Sequence, residues 1–167
     1  MNKLIDDLRV YVADSNVVSH LAHGAHWNVM GENFSQYHEL FGEYYEDVDG
    51  AIDTLAEFLR QLGVQAPANI DETYAVKTIK SPRHSTDALE LVAQLNAVND
   101  VLISQLDYLF DCATNYKKQG IANFIADRQA AHDKWKWKFS ASLGKEVTGA
   151  MPTVASSFTI ALGKIGK

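Results

Sequence analysis

The sequence predicts an all-α protein, a bundle of four long helices, from three observations. Apolar residues recur at alternating steps of three and four along four segments, which is the spacing of a helix face that packs on a core. Glycines stand where these patterns stop, and one long polar connection, residues 64–82, separates the second pattern from the third. The 167 residues, 47% of them apolar, suffice to bury one sizeable core.

A short turn joins the first two predicted helices. The first extends from about residue 3 to residue 29, and the break at Gly31 and Asn33 follows it. The second ends at Gly63. Its apolar stripe is the most regular in the chain and consists of Phe34, Tyr37, Phe41, Tyr44, Val48, Ala51, Leu55, Phe58 and Leu62.

The other two long helices follow the polar connection, which is expected to hold one short helical piece between its turn and cap residues. The third is predicted to begin between residues 82 and 87 and to pass Leu109. The fourth is predicted to occupy residues 121–143 after a break at Gly120. Lysine and tryptophan alternate over residues 134–138 as in a strand, but five residues do not outweigh their helical surroundings.

One long crossover, between the second and third helices, is the ferritin-like topology, whereas cytokine bundles need two crossovers. We expect residues 1–144 to form this domain and residues 145–167 to form a mobile or surface-lying tail. The one cysteine, Cys112, lies among apolar residues and is predicted to be a buried thiol, as suits a reducing cytoplasm. The chain shows neither a secretory leader nor an apolar run of ~18 residues, so we expect a cytoplasmic protein that does not enter a membrane.

The formal net charge of -6 is unevenly distributed. Residues 30–60 contain eight acidic residues against one arginine, whereas residues 117–167 contain nine lysines and arginines against three acids. An acidic helix face is most often simply solvated. A solvated surface therefore remains one explanation for these acids, and a functional role for them is the other.

Histidines lie on both sides of the first turn. His20, His23 and His26 are spaced three residues apart on the first helix, and His38 lies near the start of the second. His26 and His38 are about five and seven residues from the turn, so at ~1.5 Å per residue they lie at nearly the same height in an antiparallel hairpin. Their imidazoles are therefore expected to meet, although a single histidine is more often a surface residue than a ligand.

Carboxylates follow one another at steps of four on the second helix, at Asp49, Asp53 and Glu57, away from its apolar stripe. Carboxylate and imidazole together suit iron or manganese better than a structural zinc. Asp53 is fifteen residues beyond His38, about 22 Å along the helix axis, so these groups of one chain cannot share an ion. A two-fold axis near Tyr45 would bring them level in two chains. If these residues are ligands, the spacing predicts a shared metal site and an obligate oligomer.

Five short motifs stand out along the chain. They are His26-Trp27-Asn28-Val29-Met30-Gly31, Asn33-Phe34, His38-Glu39, Asp53-x-x-x-Glu57 and Asp133-Lys134 with Trp137. Together they resemble the signature of the Dps family, the DNA-binding proteins from starved cells, and the resemblance covers about residues 3–144. It implies a hollow dodecamer that oxidises Fe(II), commonly with hydrogen peroxide, and stores the ferric mineral inside.

The same resemblance implies the residues of a ferroxidase centre. His26 and His38 of one subunit would join Asp53 and Glu57 of its partner around iron. Trp27, beside that centre, is suited to quench a stray oxidising equivalent, and a plain packing role is the alternative.

Two positions near the centre depart from the family pattern. Gly42 stands four residues after the second histidine, where an acid is often found, so the support for His38 is expected to be weaker or to come from a neighbouring acid. His23 stands one turn before His26, where lysine or another residue is common, and is a candidate extra ligand. The acids that were candidates to support His38 are Glu39, Glu43 and Glu46.

The iron-entry pores of the family are lined by acids at the start of the fourth helix. This chain offers Asn123 and only Asp127 there, and Lys117 and Lys118 nearby would repel Fe(II). The entry route is therefore left open.

DNA binding is expected to be weak. Members of the family that bind DNA often use lysine-rich termini, whereas this tail carries Lys145, Lys164 and Lys167. The alternative to iron oxidation is a mainly DNA-compacting or structural shell protein with a vestigial metal site. Residues 157–167 also resemble, loosely, the docking tails of encapsulin cargo proteins.

Overall fold

The computed structural model describes residues 1–145 as four long helices and one short helix. The elements are α1 (Asn2–Asn28), α2 (Phe34–Gln61), α3 (Ile70–Val76), α4 (Ala88–Asn115) and α5 (Gln119–Ser142). α1 packs along α2, α4 packs along α5, α1 also contacts α4, and α3 lies against α1. The predicted fold class, an all-α ferritin-like bundle with a short helix in its one long crossover, is confirmed. The predicted tail of residues 145–167, with its DNA-binding and docking roles, lies outside the described residues except for Lys145.

The apolar stripe of α2 faces the core, as predicted. Its side chains are buried from Phe41 to Leu55, and Phe34 in the first turn is exposed. Fully burying one large apolar side chain contributes roughly 1.5–3 kcal/mol, so tertiary packing rather than local helix propensity stabilises this helix. The outer face of α2 is left to polar residues.

Two further predictions about the helices are confirmed. Residues 134–138 are helical within α5, and Cys112 is a buried free thiol whose burial raises its pKa. None of the helices within residues 1–145 combines the length and the apolarity that a bilayer span needs.

Left-handed residues mark the ends of the long helices. Gly31, with φ at +117°, turns the chain between α1 and α2, and Gly63, with φ at +84°, follows α2; glycine adopts both conformations without steric cost. The predicted break at Gly120 is wrong, because that residue lies inside α5. The turn between α4 and α5 has its left-handed residue at Lys117, with φ at +57°. Few non-glycine residues take that conformation, so the sequence does not mark it.

Asp14 on α1 fastens the crossover to the bundle. The backbone N–H groups of Thr78 and Ile79 donate to its Oδ1 at 2.8 and 2.9 Å. Thr78 Oγ1 and Gln105 Nε2 donate to Oδ2. These four donors offset the loss of hydration of a carboxylate that is fully buried.

Candidate metal centre

His26 and His38 meet across the hairpin of α1 and α2, as their spacing predicted. Their ring centroids are 3.6 Å apart, and the ring planes are 22° from parallel. His26 Nδ1 lies 2.7 Å from the His38 carbonyl oxygen, and His38 Nδ1 lies 2.7 Å from the His26 carbonyl oxygen. Because a carbonyl only accepts, each ring donates through Nδ1–H. In the neutral form of each ring, Nε2 is then the nitrogen that keeps a lone pair.

This reciprocal bonding gives the histidine pair the form that binds metals. Neutral imidazole is a common metal ligand, and a hydrogen bond from Nδ1–H to a carbonyl fixes both the tautomer and the ring orientation. The His26 carbonyl belongs to the last turn of α1, where carbonyls lack a partner within the helix. His38 therefore has two positions in the structure. It is one member of the histidine pair, and its Nδ1–H donates to a carbonyl that has no partner within α1.

The support of His38 comes from the backbone. The sequence left two alternatives, weaker support or support from an acid of α2, and the Nδ1–H of His38 is held by the His26 carbonyl. Glu43 accepts instead from Lys138 Nζ at 2.8 Å, and Glu46 lies within 3.5 Å of the Tyr45 hydroxyl. The alternative in which Glu39, Glu43 or Glu46 holds this N–H is therefore wrong for the single chain.

Aromatic rings extend the pair along the surface. His23 stacks on Tyr45 with a centroid distance of 4.2 Å, and its centroid lies 4.1 Å from that of the Trp27 indole. The centroids of His23 and His26 are 6.1 Å apart. Trp27 is 59% exposed, so it is not a core packing residue within the single chain. Tyr45 was missed as part of this cluster, although its position nearly two turns beyond His38 on α2 was a signal.

The predicted acidic ligands lie on the same helix but apart from the histidines. Asp53 and Glu57 are exposed on the outer face of α2. Asp49 accepts a hydrogen bond from Ser19 Oγ at 3.2 Å. Within residues 1–145 of one chain, no three His, Cys, Asp or Glu side chains come together as a metal site would need. Within one chain, the histidine pair and these carboxylates therefore do not meet.

A second polar cluster, which sequence reasoning missed, lies inside the bundle. Arg128 Nη1 and Nη2 donate to the two carboxylate oxygens of Asp47 at 2.9 and 3.0 Å, and Trp135 Nε1 donates to Asp47 at 2.8 Å. His132 Nδ1 lies 2.7 Å from Asn99 Oδ1, and His132 Nε2 lies 3.3 Å from Arg128 Nη2. We call these five residues the interior network. The four-residue step from Arg128 to His132 on α5 was its available signal.

Burial sets the protonation of the interior network. Desolvation and the charge of Arg128 lower the pKa of His132 to about 3, so this ring is neutral. Burial alone would raise the pKa of Asp47, but hydrogen bonds and charge from Arg128 lower it. The carboxylate and the imidazole thus already share a cation, the guanidinium. The guanidinium of Arg128 therefore takes the position that a cation would need, and the interior network is not a candidate metal centre.

Comparisons with known sequences identify the family of the chain. A family model described as a ferritin-like domain matches residues 5–147. Antigen TpF1 of Treponema pallidum is 46% identical over 76 residues, which is 46% of this chain and 43% of that relative, so less than half of its length is spanned. The DNA protection during starvation protein of Brevibacillus brevis is 32% identical over 123 residues, 72% of this chain and 81% of that protein.

Solved structures give the same result. The crystal structure of antigen TpF1 matches with a TM-score of 0.82 and 31% identity, covering 85% of this chain and 92% of that one. A Dps protein from Vibrio cholerae O1, described as a member of a broad superfamily of ferritin-like diiron-carboxylate proteins, matches with a TM-score of 0.82 and 25% identity, covering 85% and 89%. The chain therefore belongs to the ferritin-like proteins and, among them, to the Dps family.

Proposed function

We propose that this chain is the subunit of a mini-ferritin that oxidises Fe(II) at sites shared between subunits and stores the ferric product inside a closed shell of twelve. The observation that carries the proposal is the His26–His38 pair. Both Nδ1–H groups are engaged by carbonyls at 2.7 Å, which leaves both Nε2 lone pairs available to a metal ion. The similar Dps protein of Vibrio cholerae belongs to the ferritin-like diiron-carboxylate proteins, which supports the same chemistry.

A second copy of the chain supplies the oxygen ligands in this proposal. Asp53 and Glu57 are exposed on α2 and lie well beyond His38 on the same rigid helix. A two-fold axis that crosses α2 near Tyr45 brings the acids of one subunit to the histidines of the other, and it creates two equal sites. Two imidazoles and two carboxylates form a donor set that suits iron. His23 stands beside this set as an additional candidate ligand.

Hydrogen peroxide is the proposed oxidant, and oxygen is the alternative. Two Fe(II) ions give one electron each to one peroxide, its O–O bond breaks, and two protons complete two water molecules. Delivery of both electrons together avoids the hydroxyl radical that a single electron would release. Trp27, exposed and 4.1 Å from the His23 ring, is placed to give up an electron to an oxidant that escapes. In this way the cytoplasmic shell protects DNA, the role named for the Brevibacillus relative.

Peroxide stoichiometry tests the proposal against a shell protein with a vestigial site. Purified protein is mixed with Fe(II) without oxygen, hydrogen peroxide is added in steps, and the remaining Fe(II) is measured. We expect two Fe(II) consumed per peroxide, at a rate well above that of a His26→Ala, His38→Ala double variant. An anomalous-scattering map at the iron edge on iron-soaked crystals locates the metal. Equal rates for both proteins would reject the proposed function and leave the structural or DNA-compacting role.

A further inference from the structure

Gly42 differs from the other glycines of residues 1–145. A Cβ atom added there would lie 3.1 Å from His26 Nδ1 and 3.2 Å from His26 Cε1. At Gly24 and Gly50, the other glycines inside α1 and α2, an added Cβ would meet nothing within 4 Å. Glycine is an unfavourable residue in a helix interior. The space that a side chain at position 42 would take is therefore occupied by one specific neighbour, the His26 imidazole.

The His26 ring has little freedom to give way. On one side it stacks on His38 with a centroid distance of 3.6 Å, and the Tyr45 ring lies at 70° to it with a centroid distance of 5.7 Å. Its Nδ1–H donates to the His38 carbonyl, which lies one helical turn before Gly42 on α2. Real Cβ contacts are rarely as short as those that a side chain here would make. A methyl group at position 42 therefore pushes the ring away from the carbonyl that orients it.

We propose that Gly42 is a positioning residue for the metal centre: it admits the His26 ring between α1 and α2, so that the two histidines interlock through their carbonyls. The inference rests on the proposed function, in which His26 and His38 are ligands. In this chain, a Cβ at position 42 would contact the His26 ring, and backbone carbonyls rather than an acid orient both rings.

Two alanine variants on one helix provide the test. Gly42→Ala introduces the contact with His26, and Gly50→Ala is the matched control with open space around it. Each protein is checked for an intact shell by light scattering and titrated with Co(II), whose visible absorption reports its ligand geometry. We expect Gly42→Ala to bind Co(II) at least tenfold more weakly, with a changed absorption band, and Gly50→Ala to match the wild type. Wild-type affinity and spectrum for Gly42→Ala would overturn the inference.

A second measurement needs no metal. The thermal midpoint is compared for Gly42→Ala in the wild-type and in the His26→Ala background. Alanine favours a helix over glycine, so the substitution raises the midpoint more where the imidazole is gone. An equal change in both backgrounds would overturn the positioning role. If the wild type itself binds no Co(II), the proposed function fails. The comparison of thermal midpoints still decides whether Gly42 positions the His26 ring.

Discussion

His26 and His38 each hold the ring of the other through a backbone carbonyl, both at 2.7 Å. The histidine half of the proposed site is therefore built within one chain. Its order does not depend on a partner subunit or on a metal, because the hydrogen bonds lie between α1 and α2 of the same bundle. Preorganisation of this kind reduces the entropy lost when a metal binds.

His38 donates to the His26 carbonyl through Nδ1 and, in the proposed function, binds the metal through Nε2. Substitution can separate these two roles. Asparagine at position 38 keeps an N–H donor near the Nδ1 position but has no counterpart of Nε2. We expect His38→Asn to retain the hydrogen bond to the His26 carbonyl and to exceed His38→Ala in unfolding free energy by about 0.5–1.5 kcal/mol.

Both His38 variants should lose Fe(II) oxidation. Urea unfolding at fixed subunit concentration measures the stability difference, and peroxide-dependent iron oxidation measures the activity. Equal stability of the two variants would show that the carbonyl bond contributes nothing.

Complementation tests the shared site. His26→Ala and Asp53→Ala, or His38→Ala and Glu57→Ala, should each slow Fe(II) oxidation while leaving a shell of twelve subunits by light scattering. When a histidine variant and an acid variant are dissociated, mixed and reassembled, some interfaces regain one intact site, so activity returns in part.

The control for complementation is each variant reassembled with itself, which keeps the slow oxidation rate of that variant. Mixed shells that form but never regain activity would contradict the two-fold arrangement. A stable monomer in light scattering would contradict the shell itself.

The pH dependence of stability should reflect His132. The folded ring titrates with a pKa of about 3, against an ordinary value of 6.5. Between these values the unfolded chain binds a proton that the folded chain does not, so the unfolding free energy decreases as the pH falls from 6.5 towards 3. Asp47, whose pKa is lowered in the folded protein, acts in the same direction at the acid end.

Urea midpoints at pH 7.5, 6 and 5 check this expectation, with His132→Asn as the comparison, since asparagine does not titrate. We expect its midpoint to fall less steeply between pH 6.5 and 5. A slope equal to that of the wild type would assign the acid sensitivity to other groups. All samples are measured at one subunit concentration, because dissociation of the shell shifts the midpoint.

DNA affinity, where present, should come from the tail and be weak at physiological salt. The net charge of -6 repels phosphate, so binding needs local positive charge such as Lys145, Lys164 and Lys167. Several tails of one shell can engage one duplex, and each phosphate contact releases counterions, so the complex dissociates steeply as salt rises. A gel-shift series compares the full chain with a variant ending at Gly144. Equal binding by both would exclude the tail as the anchor.

Spacing along the chain was enough to predict the bundle, the long crossover and the meeting of His26 with His38. These three predictions depend on helical periodicity, which can be read from the order of apolar and polar side chains. The carbonyls that hold the two rings could not be predicted, because every residue has one. The interior network was missed for a related reason: Arg128 meets Asp47 across two helices whose mutual rotation is set by the whole core. The joining of Asp53 and Glu57 to the histidines stays a prediction.

The hydrogen bonds that fasten the crossover to Asp14 also affect the expected order of folding. Its bond to the Thr78 amide joins positions 64 residues apart in sequence, whereas the α1–α2 hairpin closes through a turn of a few residues. Contacts of long sequence separation form late, since the entropy of closing the loop is lost before the bond forms. We therefore expect the histidine pair to exist in a newly made chain before its crossover is fastened. We expect fastening of the crossover to Asp14 to follow as a later step.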